Sequence, residues 1–434
     1  MSISLMFQDF LNNIKVDNAD TISLRYGEIT ASLNKKFRDS ESKTDNSLQV
    51  GSYGRWTAIK GISDLDMLYI MPKIKWAVYK DNKQSQLLQD TKDAISARYP
   101  STTVYVDRLV VRVLYNNFHI EVQPVFENDD GSFEYPDTYK GGSWKTTKPR
   151  EEMNAMKEFI NSKNQNLRRL CKMARAWKNK HGIGIGGLLI DTLAYNFLSS
   201  TNEYDDKSYL YYDYMTRDFF LYLSEQPDQT HYRALGSRQN VKVKKKFQKK
   251  AKKAYELCLT AIEAGIDDTA YVLWKKVYGR QFPSKPVSSE KSLNQSSEPT
   301  WRNTEEFIED LHPVDIRYDL TLDCEVSQNG FREHSLKQML FQKLPLLPKK
   351  KLLFKIVEIN VPKPYVIKWK VLNRGPEAQK RDKIRGQILL DEGQGERIEP
   401  TEFRGAHLVE CYVIKNGVVV GKDRVDVPIQ ELKI

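Results

Sequence analysis

The chain predicts an α+β protein whose architecture changes twice along its length. Three patterns carry that expectation. β-rich runs interleave with amphipathic helices over the first 150 residues, helical periodicity takes over from 150 to 282, and beyond 300 apolar residues recur at every second position. At 434 residues the length asks for two to three domains. We place a mixed α/β core at 1–160, a helical lobe at 161–283, a linker at 284–300 and an all-β, sandwich-like domain at 301–434. The linker reading rests on Ser-Lys-Pro-Val-Ser-Ser-Glu-Lys-Ser-Leu-Asn-Gln-Ser-Ser-Glu-Pro-Thr, a polar stretch rich in serine and proline.

Taken in order, residues 3–37 read as two helices. Phe7, Phe10, Leu11 and Ile14 share one apolar face; Ile22, Ile29, Leu33 and Phe37 share another behind a cap expected around Asp20-Thr21. Leu48-Gln49-Val50 leads into a glycine-serine turn, and a strand runs from Leu65 to Met71, stopped by Pro72. A helix over about 84–98 carries Leu87, Leu88, Ala94 and Ile95 on one side. Leu109–Tyr115 and Phe118–Phe126 then form a hairpin around Asn116-Asn117, since asparagine tolerates the positive φ of a two-residue turn.

In the helical part, Leu167, Leu170, Cys171, Ala174 and Trp177 make 164–180 amphipathic. Its other face carries Arg168, Arg169, Lys172, Arg175 and Lys178, either a solvated basic face or one that sets Lys172 over a triphosphate. Gly182–Gly187 breaks the chain before an apolar helix from Leu188 to Leu198; it lacks both the P-loop pattern and the preceding strand of a Rossmann fingerprint. The lysine run from Lys242 to Lys253 contains no acid. It reads as a solvated helix face, a funnel for nucleotides or a nucleic-acid contact. Past the linker, Val314, Ile316, Tyr318, Leu320 and Leu322 alternate with polar residues as one strand. Leu352–Val361, Tyr365–Asn373, Ile384–Leu390 and a hairpin at Lys415-Asn416-Gly417 continue the pattern.

Composition narrows the partners. The chain is 40% hydrophobic and 29% charged, with a net charge of +11 and a pI of about 9.1. That balance suits a globular protein with phosphate-bearing partners, without choosing among nucleotides, nucleic acid and membrane surface. No apolar run reaches a membrane span, and Met1-Ser2-Ile3-Ser4 opens no signal peptide, so a cytoplasmic protein is expected. Cys171, Cys258, Cys324 and Cys411 form no CxxC, and the six histidines show no ligand spacing, which argues against zinc and a disulfide framework.

The chemistry concentrates in Gly51–Ile70. Gly51 permits a tight turn, and Ser52 offers a hydroxyl and a backbone N–H to an anion. Asp64 and Asp66, at i and i+2 on a strand, point to one face, where they repel unless a cation lies between them. Hard divalent ions prefer such oxygen ligands and also bind substrate phosphates. On the hairpin, Glu121 shares the polar face with His119 and Gln123; it reads as a third ligand or as a cross-strand partner of Arg112.

With these residues set out, the first 283 positions resemble the bacterial cGAS/DncV-like nucleotidyltransferases (CD-NTases) of the SMODS type. The resemblance rests on Gly51-Ser52 with Thr57, on Ser63-Asp64-Leu65-Asp66, and on Ile120–Phe126. The helix bearing Lys172 and the closing Trp274…Tyr278-Gly279…Phe282-Pro283 extend it. Residues 301–434 resemble the AGS-C domain, through 364–375, Arg385-Gly386-Gln387-Ile388 and His407–Tyr412. The resemblance implies a DNA polymerase β-like core that joins nucleoside triphosphates, ATP among them, into a cyclic di- or trinucleotide messenger for anti-phage (CBASS) signalling. It implies that Asp64, Asp66 and Glu121 hold two Mg²⁺ ions, with Mn²⁺ able to substitute, and that Gly51, Ser52 and Lys172 contact the nucleotide. An activating ligand or protein would act at the C-terminal domain. Two departures stand out: the third acid is Glu where Asp is commoner, and Gly187-Leu188 stands where the animal relative has Ser-Tyr. The alternatives are a template-independent transferase acting on RNA, which the lysine run favours, and a catalytically silent nucleotide sensor.

Overall fold

The computed structural model describes residues 2–116, 118–286, 305–328, 331–373 and 376–430. Most of the expected linker, along with Asn117, Arg374 and Gly375, lies outside the described residues. The chain divides into two units, Met1–Lys180 with Ile185–Lys285, and His181–Gly184 with Pro286–Ile434. No helix of the described residues is long and apolar enough to cross a membrane.

The first unit opens with α1 (Ile3–Asn13) and α2 (Ala19–Arg38). The cap expected at Asp20-Thr21 falls inside α2, which starts behind Asn18; Asp20 sits in the first turn, where a carboxylate favours the helix dipole. Next come β1 (Ser47–Gln49), the one-turn helix α3 (Gly51–Gly54) and β2 (Asp64–Ile70). Helices α4 (Trp76–Tyr79) and α5 (Gln84–Arg98) follow. Strands β3 (Val104–Asp107), β4 (Val110–Leu114), β5 (His119–Glu127), β6 (Phe133–Asp137) and β7 (Ser143–Thr147) complete a seven-stranded sheet of order β1-β2-β5-β4-β3, with β6 joining β5 to β7. Within it β2 and β5 run parallel.

Period-two alternation gives this sheet two unlike faces. Leu65 and Met67 of β2, Val111 and Val113 of β4, and Ile120 and Val122 of β5 pack against Ile29 and Leu33 of α2 and Leu87 and Ile95 of α5. The carboxylates of Asp64, Asp66 and Glu121 therefore fall on the opposite face. Farther along the same strands that face is closed, where Leu68 and Val125 pack with Phe133 and Met153.

The helical part comprises α6 (Pro149–Ser162), α7 (Asn166–His181), α8 (Gly187–Ser199), α9 (Tyr212–Ser224), the hairpin β8–β9 (His231–Arg233, Asn240–Lys242), α10 (Gln248–Glu263) and α11 (Asp268–Tyr278). Helix α1 joins it through rings: Phe7 meets Trp274 at 5.1 Å and Phe10 meets Tyr278 at 4.6 Å.

In the second unit, α12 (Ile308–Leu311) precedes β10 (Leu320–Gln328), β11 (Phe331–Ser335), α13 (Leu336–Phe341), β12 (Lys351–Ile359) and β13 (Val366–Leu372). Then come α14 (Pro376–Lys380), β14 (Ile388–Leu390), β15 (Glu396–Pro400), β16 (Gly405–Lys415) and β17 (Val418–Ile429). They make two four-stranded antiparallel sheets, β11-β10-β12-β15 and β14-β13-β16-β17. Leu322, Val326 and Phe354 of the first share one core with Trp369, Val409, Val413 and Val425 of the second, which is the β-sandwich expected. Two strand readings are corrected. Residues 314–318 are not part of the first strand, because Val314 makes only an isolated bridge to Val419 and the ladder begins at Leu320. Of Ile384–Leu390, only the last three residues form a strand, while Arg385 makes an isolated bridge to Asn373. The turn at Asn416 and Gly417 has positive φ at both positions (51° and 79°), as a tight hairpin needs.

A buried ion network ties the first unit together. Arg55, just past α3, donates through Nε to Asp191 of α8 at 3.0 Å and through Nη1 to Glu152 of α6 at 3.3 Å. Arg175 of α7 holds the same aspartate, Nη2 to Oδ2 at 3.0 Å, and Thr57 adds its hydroxyl at 3.2 Å. Burial alone would raise the pKa of Asp191, but Arg175 and Arg55 outweigh it and hold the carboxyl below its ordinary value. Replacing Asp191 by Ala strands two guanidinium groups in the interior. We expect a loss of about 3–5 kcal/mol in stability, read as a lower urea midpoint with unchanged slope.

Candidate active site

Register, rather than chain proximity, assembles the acidic face. Asp66 lies opposite Glu121, and Asp64 opposite His119, on adjacent parallel strands. Paired residues of neighbouring strands point the same way, so all three carboxylates share one face. Asp66 and Glu121 line a cleft of about 510 Å³, together with Gly51, Arg55, Gln123, Tyr135, Glu152, Leu188 and Gln239. Asp64, Ser52 and Lys172 are not among its lining residues.

Glu121 already has company. Arg112 of β4 lies opposite it in register and forms an ion pair with it, Nη2 to Oε1 at 2.9 Å. The Nε2 of His119 stands 3.2 Å from the same oxygen. Thus the cross-strand pairing with Arg112 is realised, on a side chain that also faces the cleft. Among the described residues no three Asp, Glu, His or Cys side chains are gathered closely enough to hold a metal ion. The three carboxylates are aligned but not drawn together.

Gly51 has a double reason to be glycine. Its φ is +64°, and a Cβ there would overlap the Asp66 carboxylate. The backbone thus runs against that carboxylate as no other residue type would allow. The Val50 amide donates to the Asp66 carbonyl at 3.0 Å, which fixes the approach from the other side. Ser52 sits within α3, and its carbonyl accepts from the amides of Thr57 and Ala58 at 2.9 and 3.0 Å.

Lys172 occupies a cationic setting. Burial, then Arg168, Lys15 and Arg175, pushes its pKa down to about 8. The solvated-face reading of α7 fails at Arg175 and Lys178, each only 5% exposed. On α10 the reading of an exposed basic face fits Lys249, Lys252 and Lys253, which are exposed while Ala251, Ala254 and Cys258 are buried.

The sequence reading passed over Arg55, Glu152 and Asp191, which wall the cleft or brace its wall. One signal was present: Asp191 is the lone acid in the apolar run Leu188–Leu198, and a charge so placed calls for a buried partner.

Residues 1–159 match the family described as Second Messenger Oligonucleotide or Dinucleotide Synthetase domain, SMODS. Residues 302–430 match the Adenylyl/Guanylyl and SMODS C-terminal sensor domain, AGS-C. Among solved structures, the chain is similar to CdnC of E. coli MS115-1 in its complex with HORMA-deltaN, at 13% identity and a TM-score of 0.50, covering 64% of this chain and 98% of that one. It is also similar to the same protein with ATP, at 14% identity and a TM-score of 0.49, covering 65% and 99%. A mutant of the Vibrio cholerae di-nucleotide cyclase DncV matches at 14% identity and a TM-score of 0.46, covering 65% and 88%. No curated protein matches the chain. The first unit is therefore that of a nucleotidyltransferase enzyme. The chain belongs to the CD-NTases, with an AGS-C domain at its C-terminal end.

Substituting Gly51 by Ala should separate site from fold. A non-glycine residue in the left-handed region costs about 1–2 kcal/mol, so a modest drop in melting temperature is expected. Turnover of triphosphates should fall much further, because the Asp66 carboxylate must move.

Proposed function

We propose that the protein joins nucleoside triphosphates into a cyclic oligonucleotide by nucleotidyl transfer, within an anti-phage signalling system. The single observation that carries the chemistry is the shared face of Asp64, Asp66 and Glu121, with two of the three opposite each other across a cleft wall. The donor set consists of carboxylate oxygens, which suits Mg²⁺ or Mn²⁺. Bound there, such ions would supply Lewis-acid polarisation of phosphate and ribose oxygens.

The chain's own residues do the remaining work. Arg112 balances the charge of Glu121, and Arg112 and the adjacent His119 ring orient it toward the cleft. Gly51 leaves the Asp66 carboxylate room on the cleft side, and Ser52 follows it with a hydroxyl for the phosphate. Lys172, with Arg168 and Lys15 nearby, provides the positive potential that a triphosphate requires. Leu188 lines the cleft where the animal relative has an aromatic residue, so base selection by stacking must come from another ring. Tyr135 is the aromatic side chain among the lining residues.

The deciding experiment incubates the full chain with all four nucleoside triphosphates and Mg²⁺ or Mn²⁺, then identifies the product by mass spectrometry. A small phosphatase-resistant cyclic product is expected, whereas extended RNA would favour a nucleotide-adding transferase. The double change Asp64→Asn with Asp66→Asn should leave the melting temperature near that of the wild type and abolish product. The lowered pKa of Lys172 makes its charge sensitive to pH in the weakly basic range. Its cationic form is the one that attracts phosphate, and it is lost as pH rises through about 8. Affinity for a non-hydrolysable triphosphate should therefore weaken above that pH in the wild type and remain flat in Lys172→Arg, measured by titration calorimetry.

A further inference from the structure

The second unit contains a cavity of about 450 Å³ lined by residues of both sheets of its β-sandwich. Its floor is apolar, with Leu352 and Phe354 from β12, Val409 from β16 and Val427 from β17, each 3% exposed or less. Its walls add Asn373, Arg385, Glu399, Phe403 and His407. A volume of this order and an apolar floor with a few convergent polar groups are the marks of a small-molecule site.

Two polar atoms on the wall residues are left over. Arg385 Nε and His407 Nδ1 are buried with no hydrogen-bond partner. One other nitrogen of each group is engaged: the Nη2 of Arg385 pairs with Glu399, and the Nε2 of His407 faces the Phe403 carbonyl at 3.3 Å. A carbonyl only accepts, so Nε2 carries the ring proton and Nδ1 presents a lone pair. Burial, aided by Arg385 nearby, outweighs the hydrogen bond to the Phe403 carbonyl and pushes the His407 pKa down, which favours the neutral ring. Arg385 Nε can only donate. The two leftovers are thus one donor and one acceptor, each bearing the desolvation cost of a bond not made.

We propose that this cavity binds a purine nucleoside or nucleotide by its base. A purine edge sets an N–H beside a ring nitrogen or carbonyl, which answers His407 Nδ1 and Arg385 Nε together. Its flat apolar face suits a floor of Phe354 and valines, and Phe403, edge-on to His407 at 4.9 Å, bounds the aromatic end. A carboxylate, which only accepts, would answer Arg385 and leave His407 unpaired; an acyl chain would answer neither. The assignment is independent of the catalytic reading, since every residue it uses belongs to the second unit.

Titration calorimetry of the full chain with adenosine and with guanosine tests it. At least one is expected to bind, with affinity weakened tenfold or more in both Arg385→Met and His407→Phe. Glu402, exposed and lining the cavity, offers a variant outside the core: Glu402→Trp should plug the mouth and abolish binding without lowering the melting temperature. If a core variant melts early, Glu402→Trp decides alone. Binding of neither nucleoside, or binding that the folded variants leave unmoved, overturns the proposal.

Discussion

A single carboxylate, Asp191, holds the first unit in shape. It is fully buried and accepts from two guanidinium groups that reach it from different parts of the chain. Arg55 comes from the turn after α3, Arg175 from α7, and Glu152 of α6 takes the remaining reach of Arg55. The two acids respond oppositely to similar burial. Asp191 is held below its ordinary pKa because two arginines outweigh desolvation, while burial raises Glu152 in spite of Arg55. The network thus keeps its charge where two cations meet one acid. Because Arg55 and Glu152 also line the cleft, the geometry of its wall is inherited from this cluster.

The acidic face of the sheet depends on a second constraint, register. A slip of one residue between β2 and β5 would turn Glu121 into the core with Val122's neighbours and leave Asp66 facing an apolar side chain. That slip is opposed by the packing of Leu65, Met67, Ile120 and Val122 under α2 and α5. Arg112 reinforces it from the other neighbour of β5. Glu121 therefore serves the sheet and the cleft at once, and a cation entering beside it competes with a guanidinium already at 2.9 Å.

In the second unit the same alternation builds a different object. Two antiparallel sheets pool their inward residues into one core, and residues of both sheets also line a cavity. Core packing elsewhere in the unit is dense with valine and aromatic side chains, so the cavity with its unpaired Arg385 and His407 atoms is a local exception. Departures of that kind concentrate where proteins bind other molecules.

Local physics was enough for much of this. Alternation located β2, β5 and the sandwich strands, the 3.6 period located α5 and α7, and Asn416-Gly417 named its own turn. The i, i+2 spacing of Asp64 and Asp66 put both on one face, because strand geometry leaves no other choice. What contact across the fold decided was less visible. Val314–Tyr318 carries a strand's pattern yet finds no ladder, since alternation states which side chains face inward and not which backbone partner is available. Arg175 and Lys178 belong to a basic face that reads as either solvated or triphosphate-binding, and only the acid at Asp191, supplied by another helix, shows why one of them is buried. Whether Glu121 belongs to Arg112 or to the cleft could not be read from its own strand, because both neighbours of β5 contribute to the answer. Spacing along one element is written in the chain; the partner on the next element is set by packing, and packing exists only once the chain has folded.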